Sequence, residues 1–138
     1  MRYYLDTSVA VEALLPGGDP AARAWIDRIA VGPGSVFSST LLHLELSRVL
    51  RREAIPIDRV GAVLRRIDQI SIDDGILAAA AAIEPHVRSL DAIHLATCAL
   101  IGTGACLVTH DAGMSAAALA LGFAVLDPLA ASPDTLDP

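Results

Sequence analysis

Five short apolar runs recur along the chain: RYYLD (2–6), SVFSS (35–39), QISI (69–72), ACLVT (105–109) and FAVL (123–126). Segments with helical signals separate them, and this alternation constrains the fold more than any other feature. A continuously apolar strand is buried on both faces, the environment of parallel strands whose crossovers lay helices over the sheet. The punctuation agrees. Pro16-Gly17-Gly18 stops a helix over 7–15, and Asp19 caps the next, through AARAWIDRIA, with Pro20 at its first position. A long helix is expected from Thr40 to Glu53, and another starts at Pro56 and Asp58 and runs through Arg66. Asp73-Asp74 open an alanine-rich helix that Pro85 ends. One more begins near Asp91, and the last covers 111–121. The reading is an α/β domain over residues 1–127 with a flexible tail over 128–138.

Composition removes several classes of function. At 138 residues, 54% hydrophobic and 19% charged, with mean hydropathy +0.54, the chain suits one packed domain rather than a disordered one. Asp6 interrupts the N-terminus before a signal-peptide core could form, and the longest apolar run, ILAAAAAI (76–83), is far short of the roughly 20 residues of a membrane span. A cytoplasmic protein is expected. Cys98 and Cys106 form no close-spaced pair, so neither a disulfide framework nor a thiolate zinc site is indicated. All ten basic residues are arginine, which excludes a P-loop lysine, Schiff-base chemistry and lysine-dependent phosphoryl transfer. The net charge of −6 argues against broad electrostatic binding of nucleic acid, though not against a local site where cations reverse the sign.

Four acids stand in apolar company. Asp6 ends the first strand and Asp111 follows the fourth, so both belong at the carboxyl edge of a parallel sheet, where such folds bind ligands. Asp91 opens a helix that can face the same edge. Glu45 borders the stripe Leu42, Leu46, Val49, Leu50 and points sideways along the core. Each has a plainer reading. Asp91 and Asp111 could serve as caps or first-turn acids, worth about 0.3–1 kcal/mol against the helix dipole, and Glu45 could pair with Arg48 one turn on. Asp6 is harder to dismiss, because a carboxylate ending a buried strand loses several kcal/mol of solvation unless something compensates. Together, four carboxylates at one edge would repel one another. Mg²⁺ or Mn²⁺, hard cations that prefer oxygen, are the natural balance, and such sites hydrolyse phosphodiesters.

The segments YLDTSV (4–9), LLHLELSRVL (41–50), SLDAIHLATC (89–98) and LVTHD (107–111) resemble, in that order, the motifs of PIN-domain ribonucleases. Their spacing and the chain length are similar to the VapC toxins of bacterial toxin–antitoxin pairs. The resemblance implies a three-layer α/β/α sandwich around a parallel sheet of about five strands, and Mg²⁺-dependent endonucleolytic cleavage of RNA, with Mn²⁺ as a substitute. It assigns Asp6, Glu45, Asp91 and Asp111 as the metal-binding catalytic acids, with Thr7 or Ser8 and Thr109 holding carboxylates, waters or phosphate. One departure stands out: some relatives carry a further acid or asparagine after the T-x-D motif, where this chain has AGMSAAA (112–118), with only Ser115 polar. One firmly held ion is expected, a second being left open. His94 is read as a packing or hydrogen-bonding residue rather than a ligand. His110 could approach substrate or face solvent, and His43 carries less signal still.

Arg48 and Arg52 share a helix flank with Glu45, and Arg88 precedes Asp91 by three residues. All three could meet RNA phosphates or simply sit on solvated faces. The resemblance further implies a cognate antitoxin, with a tail that covers the acidic site, and a homodimer. Leu41 and Leu44 lie off their helix's main stripe, which fits either a dimer surface or a second buried face. The rival readings are a PIN-like RNA-processing nuclease outside toxin–antitoxin biology and a non-catalytic PIN-fold binding module.

Overall fold

The computed structural model describes residues 1–102 and 104–130. Five parallel strands stand in the order β3-β2-β1-β4-β5, namely β1 Arg2–Leu5, β2 Val36–Ser39, β3 Asp68–Ile70, β4 Ala105–Val108 and β5 Ala124–Leu126. Seven helices connect them among the described residues: α1 Thr7–Leu14, α2 Pro20–Ile29, α3 Leu41–Arg52, α4 Asp58–Leu64, α5 Asp74–Ala81, α6 Ser89–Ile101 and α7 Ala112–Ala120.

Alternation along the strands divides the core in two. Leu5 and Val108 face one cluster with Val9, Trp25, Leu42, Leu46 and Val63, beneath α1 to α4. Their strand neighbours Tyr4 and Leu107 face the other, with Leu95, Cys98, Met114 and Ala118 from α6 and α7. The three-layer sandwich expected from the sequence is the observed architecture. Chain order runs outward from β1 through β2 to β3, then returns to β4 on the opposite side. The strand order therefore reverses between β1 and β4, the place where such sheets open a crevice at the carboxyl ends of their strands.

Several boundaries differ from the sequence reading, for local reasons. The third strand lies at Asp68–Ile70 rather than 69–72, because its one partner, β2, ends at Ser39. The alanine-rich helix stops at Ala81, well before Pro85. A proline ring clashes with the carbonyl four residues back, which is that of Ala81. Helix α4 ends at Leu64 rather than reaching Arg66, and α6 starts at Ser89, two residues before Asp91. In the tail, Pro128 is buried and Leu129 packs against the larger cluster, while residues 131–138 lie outside those described. No described helix is long and apolar enough to cross a membrane.

Candidate active site

Asp6 sits at the crevice, where β1 ends and α1 begins. Its backbone N–H donates to Val108 O at 2.9 Å, tying the ends of β1 and β4 together. The residue is only 5% exposed, and one of its side-chain oxygens carries the local contacts. Oδ2 accepts the Ser8 hydroxyl at 2.7 Å, the Thr109 hydroxyl at 2.9 Å and, weakly, the Ser8 N–H at 3.4 Å. Thr109 Oγ1 in turn accepts the Asp111 N–H at 3.1 Å, and Ser8 Oγ accepts the His110 N–H at 2.9 Å. Two hydroxyls thus bind the first acid to the backbone that carries the fourth.

Glu45 enters from α3, across the crevice. Its Oε1 accepts the Thr7 hydroxyl at 2.7 Å and meets His94 Nε2 at 2.5 Å. The same nitrogen lies 3.9 Å from Asp6 Oδ1, so a single imidazole touches both carboxylates. Burial pushes the Glu45 carboxyl up. The His94 ring, the Thr7 hydroxyl and the charge of Arg88 together outweigh it, and the group ends below its ordinary value.

Asp91 and Asp111 form a second pair, bridged by Arg88. The guanidinium donates from Nε to Asp91 Oδ2 at 3.0 Å and from Nη2 to Asp111 Oδ2 at 3.2 Å. Asp91 is a first-turn residue of α6 and does not cap it. Asp111 does cap α7, its Oδ1 accepting the Met114 N–H at 2.9 Å, so the plain reading and the functional one are compatible there. An open cleft of about 320 Å³ lined by Arg88, Asp91, Asp111, His86, Val87 and Gly113 borders this pair. The acids raise the Arg88 pKa, with Asp91 foremost and Asp111 and Asp6 behind it. Arg88 thus contacts Asp91 and Asp111, and its charge also reaches Asp6 and Glu45. The four acids stand as two pairs, Asp6 with Glu45 and Asp91 with Asp111, and among the described residues no group of three His, Cys, Asp or Glu side chains is arranged to hold a metal ion.

The remaining candidates separate clearly. Glu45 pairs with Thr7 and His94, not with Arg48, which is exposed on α3. Arg52 pairs with its neighbour Glu53 at 3.3 Å, both largely in solvent. His43 is exposed. His110 is half-exposed, and its Nδ1 lies 2.9 Å from Asp127, which raises its pKa. Leu41 is buried within the chain, whereas Leu44 is 55% exposed. Burial pushes the Cys98 thiol up to about 12 and raises that of Cys106, so neither is poised as a nucleophile. Sequence reasoning missed Tyr4, whose hydroxyl meets His94 Nδ1 at 2.7 Å. The available signal was spacing: Tyr4 lies on the strand that leads into Asp6, and His94 follows Asp91 by three on one helix.

Residues 3–119, most of the chain, match the family described as the PIN domain. The chain belongs to the PIN-domain family. This PIN domain is 40% identical over 134 residues to ribonuclease VapC35 of Mycobacterium tuberculosis, covering 91% of the chain and 96% of the relative. Among solved structures, FitAcB from Neisseria gonorrhoeae superposes with TM-score 0.71 at 22% identity, covering 94% of this chain and 99% of that one. A toxin–antitoxin complex from Klebsiella pneumoniae gives 0.65 at 19%, covering 91% and 97%. At such identities the two structures speak for the fold alone.

Proposed function

We propose that this chain is a Mg²⁺-dependent endoribonuclease and the toxin half of a toxin–antitoxin pair, with Asp6, Glu45, Asp91 and Asp111 as its metal-binding, catalytic acids. The observation that carries this reading is the set of carboxylate oxygens left over. On Asp6, Glu45 and Asp91 one oxygen is fixed by hydrogen bonds, while Oδ1, Oε2 and Oδ1 respectively receive none among the described residues. Those hard oxygens, together with Asp111 Oδ2 on the far side of Arg88, fit Mg²⁺ or Mn²⁺. When bound there, such an ion supplies Lewis-acid polarisation of the phosphate and an activated water. Thr7, Ser8 and Thr109 keep the carboxylates oriented by hydrogen bonds to the oxygen that faces the protein. Downstream of Asp111, Ser115 is the one polar residue of AGMSAAA, so we read one ion as firmly held.

Arg88 has two uses in this scheme. Without a cation it balances the acids; once they are neutralised its guanidinium is free to take an RNA phosphate, and Arg48 and Arg52, on the α3 flank that carries Glu45, are read as further phosphate contacts. Arg88→Gln is expected to tighten Mn²⁺ binding roughly three- to tenfold, because exposed ion pairs are weak competitors. It should also weaken RNA binding and flatten the logarithmic salt dependence by about 0.7, the loss of one single-strand phosphate contact. Calorimetry and a salt titration with labelled RNA read both. If neither quantity moves, Arg88 faces neither ion nor phosphate.

The deciding experiment is induced expression of the chain alone and with the neighbouring gene, followed by mapping of new RNA 5′ ends. Growth arrest and discrete new ends are expected from the wild type, and neither when the cognate antitoxin is co-expressed. Arrest that persists in Asp91→Asn counts against the metal mechanism, and arrest without new ends counts against ribonuclease action. A homodimer in the cytoplasm completes the reading, with exposed Leu44 on α3 available to an interface.

A further inference from the structure

The His94 imidazole is fully buried, yet both ring nitrogens are engaged. Hydrogen-bond logic fixes what each does. An ionised Glu45 can only accept, so Nε2, at 2.5 Å from its Oε1, carries a proton. On the other side, Tyr4 oxygen already accepts the Ser39 N–H at 3.1 Å, and burial keeps the phenol protonated. With the ring neutral and its proton on Nε2, Nδ1 is the acceptor, and the Tyr4 hydroxyl donates to it at 2.7 Å. One directed chain results, from the Ser39 amide through Tyr4 and His94 to Glu45, crossing β2, β1, α6 and α3.

We infer that His94 is a positioning residue for Glu45, held in its Nε2–H tautomer by Tyr4. With Thr7 it occupies Oε1 and so reserves Oε2 for a cation. The physical role is that of the outer partners of metal ligands, which fix a ligand's orientation without touching the ion. His94 and Asp91 lie one turn apart on α6, so the helix that presents one acid also steers another. This inference rests on the metal reading given above and deepens it.

Two measurements test it on the intact chain. In long-range ¹H–¹⁵N spectra of the wild type, Nε2 is expected to be protonated and Nδ1 bare; the reverse tautomer overturns the assignment. Calorimetry with Mn²⁺ then compares variants whose folding is checked by thermal melting. His94→Leu should bind about ten- to a hundredfold more weakly, the usual cost of losing such a partner. His94→Gln, whose amide N–H can reach Glu45, should recover to within roughly threefold of wild type, and Tyr4→Phe should fall between them. A folded His94→Leu chain that binds Mn²⁺ normally, or a folded His94→Gln chain as impaired as the leucine variant, defeats the positioning role. Should the leucine variant not fold, His94→Gln and Tyr4→Phe decide: equal and large losses in both overturn it. A wild type that takes no Mn²⁺ sinks both readings, whereas wild-type binding that Asp6→Asn abolishes isolates a failure at His94 from a failure of the metal site.

Discussion

Asp6→Asn is expected to abolish Mn²⁺ binding and to lower RNA cleavage by at least the roughly hundredfold that losing an outer partner of a metal ligand can cost, while the metal-free protein melts no earlier than wild type. The asymmetry follows from how the two oxygens of Asp6 are used. Oδ2 caps α1 and accepts the Ser8 and Thr109 hydroxyls, contacts an amide oxygen can keep, and asparagine is as good an N-cap as aspartate. The other position changes from a bare carboxylate oxygen to an NH₂ donor, which cannot bind a cation. Removing one negative charge also relieves repulsion among neighbouring acids that face the charge of Arg88. Calorimetry and thermal melting measured on the same sample separate the two effects. A variant that still binds Mn²⁺ but melts early would mean that Asp6 is structural.

Trp25→Ala should remove about 3–5 kcal/mol of stability, a large share of the roughly 5–15 kcal/mol typical of a domain this size. The indole on α2 is the largest fully buried side chain, 1% exposed, within the cluster beneath α1 to α4. It also meets Tyr3 edge-to-face, ring centroids 5.3 Å apart at 87°, a geometry worth about 0.5–1.5 kcal/mol beyond burial. Urea unfolding followed by circular dichroism should show the midpoint falling with little change in slope. A loss below about 1 kcal/mol would mean that the surrounding side chains collapse into the space, and that this face of the sheet packs loosely.

The two cases mark how far the sequence could be read. Trp25 falls in a helix whose start, Asp19-Pro20, is spelled out locally, and Asp19 indeed accepts the Ala21 N–H at 2.9 Å. Asp6, Asp73 and Asp111 likewise cap the helices they precede. Where boundaries slipped, as at β3 and at the end of α5, the deciding group lay on another strand or in a ring four residues away. In the candidate site, the four acids stood out in the sequence as exceptions to an apolar pattern. Their partners did not, because nothing near Glu45 in sequence announces His94, 49 residues on, or Thr7, 38 residues before.

By itself, the sequence determined the layered α/β architecture, the helix starts that an aspartate caps, and which carboxylates stand where apolar residues would otherwise belong. These depend on interactions within a few residues and on burial periodicity, which local order encodes. Tertiary structure decided that Glu45 turns to His94 rather than to Arg48, that Arg88 spans Asp91 and Asp111, and that Tyr4 directs the imidazole. Those pairings arise from strand order and from the rotation of packed helices. Both are set by how the two cores fill, so a side chain chooses its partner only when the layers close.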